Sequence, residues 1–399
     1  MTQQPFAPAV QVTRGMYVES AHRGSIAAVD VGGRLVASLG NPVESVYLRS
    51  CAKPFQALAF VCSGAADGLG ITEEELAVAC ASHSGEPEHQ ERVASILRKA
   101  GLDESALRCG VHPPFDGPTR EAMQARGARP TALHNNCSGK HAAMLATARF
   151  LDLPTDTYTD PDHAIQIAIR GILGYLCGLE PEEIQTSPDG CTAPSFRIPL
   201  RSFSLALARL AAEGEGVPHL RARSSPSPHR HRRRHDHETA SDEDEDLDVY
   251  DRDPDERAEA SDSPDPFPVP ITEGMRRVWT AMRAHPHLVA GRHGRLCTDL
   301  MQAAASFEVP LVAKSGAEGA YAVATVRDGA GLGITIKIED GAQRARDSAI
   351  METLFQLGIL PDDARGPLAG YHRQTVLNLR QEPVGEIRSI FKLSLGLPS

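Results

Sequence analysis

PLVAKSGAEGAYAVATVRDGAGLGITIKIED, residues 310–340, reads as three strands and two turns. Pro310–Ala313, Gly319–Val326 and Leu332–Glu339 are apolar and β-branched, as half-buried or buried strands require. Asp328-Gly329 begins the turn between the last two, a pair suited to a tight hairpin. Lys314 closes the first strand and Ser315-Gly316 follow. This puts an amine beside backbone that a ligand can approach closely. A surface β-turn would carry the same residues, so the segment alone leaves both readings open.

The same pattern recurs near the other end of the chain. Ser25–Val31 and Leu35–Leu39 flank Gly32-Gly33, a two-glycine hairpin signal. Between these strand regions the chain reads mostly as helix. Glu75–Cys80 is apolar. Glu88–Ala100 turns Val93, Ile96 and Leu97 inward and stops at Gly101. Asp160-Pro161 reads as a cap and first turn before Ile165, Ile169, Ile172 and Leu176, and Ala345–Leu357 is a late helix. The order predicts an α/β fold: one antiparallel sheet built from both termini, with an inserted helical region at about 72–210.

Residues 213–268 break the composition. Arg221 to Arg234 carries six arginines, and Asp236 to Asp265 carries 15 acidic residues against Arg252 and Arg257. Few apolar side chains interrupt them, too few to offset the entropy of ordering the backbone. A disordered low-complexity insertion is expected there, within a single catalytic unit made of 1–212 and 269–399. Its tract His229, His231, His235, His237 suits either a solvated loop or weak metal chelation. The net charge of −11 is mostly this segment's. The nearly neutral remainder gives no electrostatic case for nucleic acid or membrane partners. Met1–Ser20 lacks a basic start before an apolar run, so no secretory signal is expected. Eight cysteines without a CxxC pair read as reduced thiols in a cytoplasmic protein.

Four segments carry chemistry. Tyr47-Leu-Arg-Ser-Cys-Ala-Lys-Pro-Phe-Gln56 contains Ser50-x-x-Lys53. On a helix these share a face, and a desolvated lysine can serve as base to a serine; an exposed helix turn carries the same spacing. Ala79-Cys-Ala-Ser-His-Ser-Gly-Glu86 sets Ser82, His83 and Ser84 at a helix end. His134-Asn-Asn-Cys-Ser-Gly-Lys-His141 is a polar loop before an apolar helix. It lacks the upstream glycine and following Ser/Thr of a phosphate-binding loop. Cys137 and, in Pro188-Asp-Gly-Cys-Thr-Ala-Pro194, Cys191 read either as buried thiols or as two thiolates for zinc. SxxK together with Lys314-Ser315-Gly316 matches the pairing used by penicillin-recognising serine enzymes, whose sheet also joins both termini around a helical insert.

The whole set resembles the rhizobial-type L-asparaginases, a bacterial family often described as asparaginase II. The resembling stretches are ESAHRGSIAAVD, LRSCAKPFQAL, ACASHSGEPEH, LHNNCSGKHAAMLA, DPDH, DGCTAP, AKSGAEGAYAV, LGITIKIEDGAQRA and LNLRQEPVGEIR, between Glu19 and Arg388. The resemblance implies a serine β-lactamase/glutaminase-like fold and a homodimer. It implies two serine–lysine pairs among Ser50, Lys53, Ser82 and Lys314. It places zinc on Cys137, Lys140 and Cys191, with water as the fourth ligand, and makes Arg49, His134 and Asp189 substrate-binding residues. The implied reaction is hydrolysis of L-asparagine to L-aspartate and ammonia. Ser50, activated by Lys53, attacks the amide, Ser82 and Lys314 move the proton to ammonia, and backbone N–H groups near Ser50 and Ser315 stabilise the oxyanion. Glutaminase or β-lactamase-like hydrolysis, or a zinc-binding relative without activity, are the alternatives.

Overall fold

The computed structural model describes residues 5–217 and 267–396. Most of the stretch expected to be a disordered insertion lies outside the described residues. Its flanks do not: a helix runs on to Glu215, and Phe267 and Pro268 sit at the start of the next segment.

The strands are β1 (Ala7–Arg14), β2 (Tyr17–Asp30), β3 (Leu35–Leu39), β4 (Ser45–Tyr47), β5 (Gln185–Pro188), β6 (Pro194–Pro199), β7 (Leu311–Ser315), β8 (Ala320–Arg327), β9 (Ala330–Ile338), β10 (Gln374–Leu377), β11 (Pro383–Ser389) and β12 (Ser394–Leu395). The helices are α1 (Lys53–Cys62), α2 (Ala65–Gly68), α3 (Glu73–Ala79), α4 (Pro87–Lys99), α5 (Gly117–Ala125), α6 (Ser138–Phe150), α7 (Ala164–Cys177), α8 (Leu200–Glu215), α9 (Ile271–Ala284), α10 (Pro286–Val289), α11 (Leu296–Ser306), α12 (Gln343–Gln356) and α13 (Arg365–His372). None is long and apolar enough to cross a membrane.

The main sheet runs β10-β11-β1-β2-β9-β8-β7, with β3 on β2 and β12 on β3. Every pairing is antiparallel, and both termini supply strands, as the strand order predicts. Both predicted hairpins form. Gly33 (φ +79) carries the β2–β3 turn, and Asp328 (φ +52) with Gly329 (φ +74) carries β8–β9. Two successive left-handed residues give the twist that a two-residue hairpin needs. The sheet is larger than the strand signals indicate. β1 pairs with β2 through Gly15, and β10–β12 extend the edge. Their Thr, Arg and Glu side chains weaken the apolar alternation from which strands are read.

Strands β8 and β9 and the Gly24–Val29 half of β2 are almost wholly buried, because helices cover both faces. α8 crosses β9, β8 and β2, while α12 packs against β11, β1 and β9. The close approach of α8 depends on absent side chains. A Cβ at Gly333 would stand 1.9 Å from the Ser204 carbonyl oxygen, and one at Gly331 2.2 Å from that of Ala208. Ser204 Oγ then pins helix to sheet, donating to the Ala27 carbonyl at 3.0 Å and meeting Thr335 Oγ1 at 2.8 Å.

The helical part begins earlier than residue 72, with α1 and α2, and contains a second sheet, β4-β6-β5. α3 opens with a capping box of Thr72 and Glu75. It ends at Ala79, three residues before Ser82. α7 starts at Ala164, not after Asp160. The Asp160 carboxylate accepts the Asp162 N–H in a tight turn, and the His163 ring caps the helix through the Ile165 N–H. A side chain satisfied by its own turn no longer serves as the cap three residues on.

Candidate active site

Two side chains from distant parts of the chain meet at one hydroxyl, that of Ser82. α1 begins at Lys53, whose side chain is buried. Its Nζ reaches the Ala81 carbonyl at 2.7 Å, the Asn136 carbonyl at 3.1 Å and Ser82 Oγ at 3.0 Å. From the main sheet, Lys314 on β7 brings its Nζ to 2.8 Å from the same Ser82 Oγ and 3.1 Å from the Ser315 carbonyl. Ser82 lies in the extended segment after α3. Its N–H donates to the Val289 carbonyl at 3.0 Å, and its carbonyl accepts Arg295 Nη2 at 2.8 Å.

Burial disfavours charge on both lysines. Lys314 is lowered to about 7, first by burial and then by the charge of Lys53. Lys53 has three acceptors around it, one for each ammonium proton.

Ser50 sits on a short 3-10 turn, Arg49–Ala52, that precedes α1. It is half-buried, and its hydroxyl makes no hydrogen bond among the described residues. The turn runs straight into α1, and the Lys53 N–H donates to the Ser50 carbonyl, so the two residues follow one another on a continuous helical run; the Lys53 amine nevertheless turns inward to Ser82. Arg49 has a left-handed backbone (φ +51), which for a residue with a Cβ costs roughly 1 kcal/mol or more and concentrates at functional sites.

The small sheet brings Arg49 to Asp189. β4 runs into the Arg49 turn, β5 runs into Asp189, and both flank β6. Arg49 Nη2 and Nε lie 2.8 and 3.1 Å from Asp189 Oδ1. Burial opposes charge on Asp189, but Lys140 and Arg49 hold its carboxyl below the usual range.

The three expected metal ligands also converge. Cys137, at the start of α6, is held well below the usual thiol range by a hydrogen bond from Cys191 and by the charges of Lys53 and Lys140. Cys191 is raised in turn. Burial disfavours charge on Lys140, but the neighbouring Cys191 and Cys137 sulfurs outweigh it and raise the amine. His134 is buried nearby in sequence, but its ring bonds to Thr131, accepting the Thr131 N–H at 3.0 Å. Its hydrogen bonds do not reach the lysine–serine centre.

Several participants carry no sequence signal. The Ala81 and Asn136 carbonyls are backbone, and Arg295 stands in GRHGRLCTD, which has no recognisable spacing. Of the backbone donors expected near Ser50 and Ser315, the Ser315 N–H itself donates to Cys297 Sγ at 3.1 Å. A separate group, Glu86, Asp116 and His293, brings two carboxylates and an imidazole within 4.8 Å. Its members are already occupied by Arg292, by Thr119 and by each other.

Residues 10–236 and 256–389 match a single family model, and the class it defines is the amidohydrolases. That family is L-asparaginase II, and this chain belongs to it. The match breaks only at residues 237–255, a narrower interval than the insertion expected from composition. No curated protein matches the chain. Solved structures of Mglu resemble it loosely. One, in its tris and glutamate form, has 15% identity over 86% of this chain with a TM-score of 0.33. Another has 14% identity, again over 86% of this chain and 68% of that chain, with a TM-score of 0.33. The chain spans 60% of the length of the first.

Proposed function

We propose that this protein hydrolyses the side-chain amide of L-asparagine to aspartate and ammonia through a serine acyl-enzyme. The observation that carries this is the pair of amines on one hydroxyl: Lys53 and Lys314 both lie within hydrogen-bond distance of Ser82 Oγ. A serine has one proton to give. Lys53, with three acceptors, is the ammonium that donates to Ser82, and Lys314, with the depressed pKa, is the neutral amine that accepts its proton.

In this reading Ser82 Oγ attacks the amide carbon as Lys314 takes its proton. The lysine returns that proton to the departing nitrogen, and ammonia leaves. Water, deprotonated in the same way, then cleaves the ester and frees aspartate. The Arg49–Asp189 pair supports recognition of an α-amino acid. Such a substrate is itself a zwitterion, and its carboxylate and ammonium can pair head to tail with guanidinium and carboxylate.

Cys137, Lys140 and Cys191 suit a zinc ion: two sulfurs, one already favoured as thiolate, and an amine beside them. When bound, the metal would neutralise this sulfur cluster and offer an open position for orienting substrate. A β-lactamase/glutaminase-like fold and a homodimer complete the expectation carried by the sequence resemblance.

A second reading makes Ser50 the nucleophile, favoured by the strained backbone of Arg49 directly before it. The deciding experiment is ammonia release from asparagine, beside glutamine and a chromogenic β-lactam, with mass spectrometry of the trapped acyl-enzyme to locate the ester. Failure to release ammonia from asparagine would reject the proposed substrate.

A further inference from the structure

Arg295 immediately precedes α11, and its side chain is largely buried. Nη1 donates to Ser84 Oγ at 2.6 Å and Nη2 to the Ser82 carbonyl at 2.8 Å. Ser84 Oγ passes the chain on, donating to the Ala290 carbonyl at 3.0 Å, and the Ser82 N–H reaches the Val289 carbonyl at 3.0 Å. The segment 82–84 is therefore stitched to 289–290 on one side and clamped by the guanidinium on the other. Arg295 forms no ion pair among the described residues; the ring of Phe115 lies 6.0 Å away. Removing a guanidinium from water without a carboxylate partner is costly. A neutral amide could donate to the same two acceptors without that cost. What Arg offers instead is a planar fork that spans both acceptors at once.

We propose that Arg295 is a positioning residue for the reaction: by bridging the Ser82 carbonyl and the Ser84 hydroxyl, it holds Ser82 Oγ between Lys53 and Lys314. This rests on the proposal that Ser82 is the reacting serine. Ser82 has no regular structure to hold it, since α3 ends at Ala79. Without the fork the Ser82 N–H keeps Val289 and Ser84 keeps Ala290, but the Ser82 carbonyl loses its partner, and a rotation there carries Oγ away from both amines. Misplacement of a nucleophile by about 1 Å can cost ~10²-fold in rate.

The test uses full-length protein and two readouts: steady-state asparagine hydrolysis, and the rate at which a fluorophosphonate labels Ser82, followed by mass spectrometry. Arg295→Ala is expected to lower both kcat and the labelling rate about 10²-fold, with KM within about threefold. Added guanidinium ion should restore part of both, a recovery that a merely structural residue would not show. Arg295→Lys, whose single ammonium cannot span both acceptors, should recover only part of the loss. Ser84→Ala, which removes one acceptor, should fall between. Wild-type labelling rates in folded Arg295→Lys and Ser84→Ala would overturn the proposal, even if Arg295→Ala fails to fold. Labelling confined to Ser50 in the wild type would overturn it too. A wild-type protein that labels at Ser82 but releases no ammonia rejects the asparaginase reading alone. The labelling rates of the variants then decide the role of Arg295.

Discussion

Lys314 Nζ lies 2.8 Å from the Oγ of Ser82, a residue 232 positions earlier in the chain. Its environment sets a pH dependence. Burial, the charge of Lys53 and that of Arg295 lower Lys314 to about 7, against the opposing influence of Cys297 and Cys51. The neutral amine is the base, so kcat/KM should rise with pH through about 7 and level off above it. Stability follows the same sign. Between about 7 and the ordinary lysine value of 10.5 the unfolded chain binds the extra proton, so this group makes stability increase with pH across that window. A rate profile flat from about pH 6 to 8 would remove Lys314 as the base.

Ser82→Ala should lower turnover at least ~10²-fold and abolish the trapped acyl adduct, because among the described residues no other hydroxyl bonds both amines. Ser50→Ala should still form an adduct at Ser82. An adduct on Ser50 in the wild-type protein, with none on Ser82, would reverse the assignment.

Purified protein should carry about one zinc per chain, as a site of two sulfurs and an amine expects. Cys137→Ala or Cys191→Ala should lose it. Metal analysis is the readout, independent of activity. Absence of zinc from protein prepared without chelators would dismiss the assignment.

Gly139 should not tolerate a methyl group. A Cβ there would stand 2.1 Å from the Val78 carbonyl oxygen and 2.7 Å from Val78 Cγ1. α6 would have to move off α3, and α6 begins beside Cys137. Overpacking of this kind costs about 1–3 kcal/mol, so Gly139→Ala should lower the thermal midpoint by several degrees. An unchanged midpoint would show that the two helices are free to separate.

Replacing residues 220–265 with a short Gly/Ser linker should leave thermal midpoint, zinc content and turnover unchanged. The ends of that segment are held independently of it. Glu213 on α8 pairs with Arg276 on α9 at 3.0 Å, and Trp279 Nε1 donates to Glu215 at 2.8 Å. Loop length itself contributes only about 0.6 kcal/mol per doubling. A large loss in any of the three measurements would show that the segment serves the folded body.

The sequence alone determined the features whose causes are local. Asp328-Gly329 and Gly33 specify hairpins because aspartate and glycine accept left-handed backbone, and apolar runs on either side specify the strands that flank them. It also determined which side chains are candidates, since Ser50, Lys53, Ser82, Lys314 and the two cysteines stand in dense polar segments that a core has no use for. What each candidate touches was decided only in three dimensions. The spacing Ser50-x-x-Lys53 implies a pair only if one helix carries both residues. The 3-10 turn and α1 carry both in one run, yet the loop after α3 supplies the buried acceptors that draw the amine to Ser82. Arg49 meets Asp189 because β4 and β5 happen to share β6 as a neighbour. Arg295 reaches Ser82 because α10 and α11 pack behind the 82–84 segment. Hydrogen bonds between residues so far apart in sequence exist only after the sheet has closed from both termini, so no local pattern encodes them.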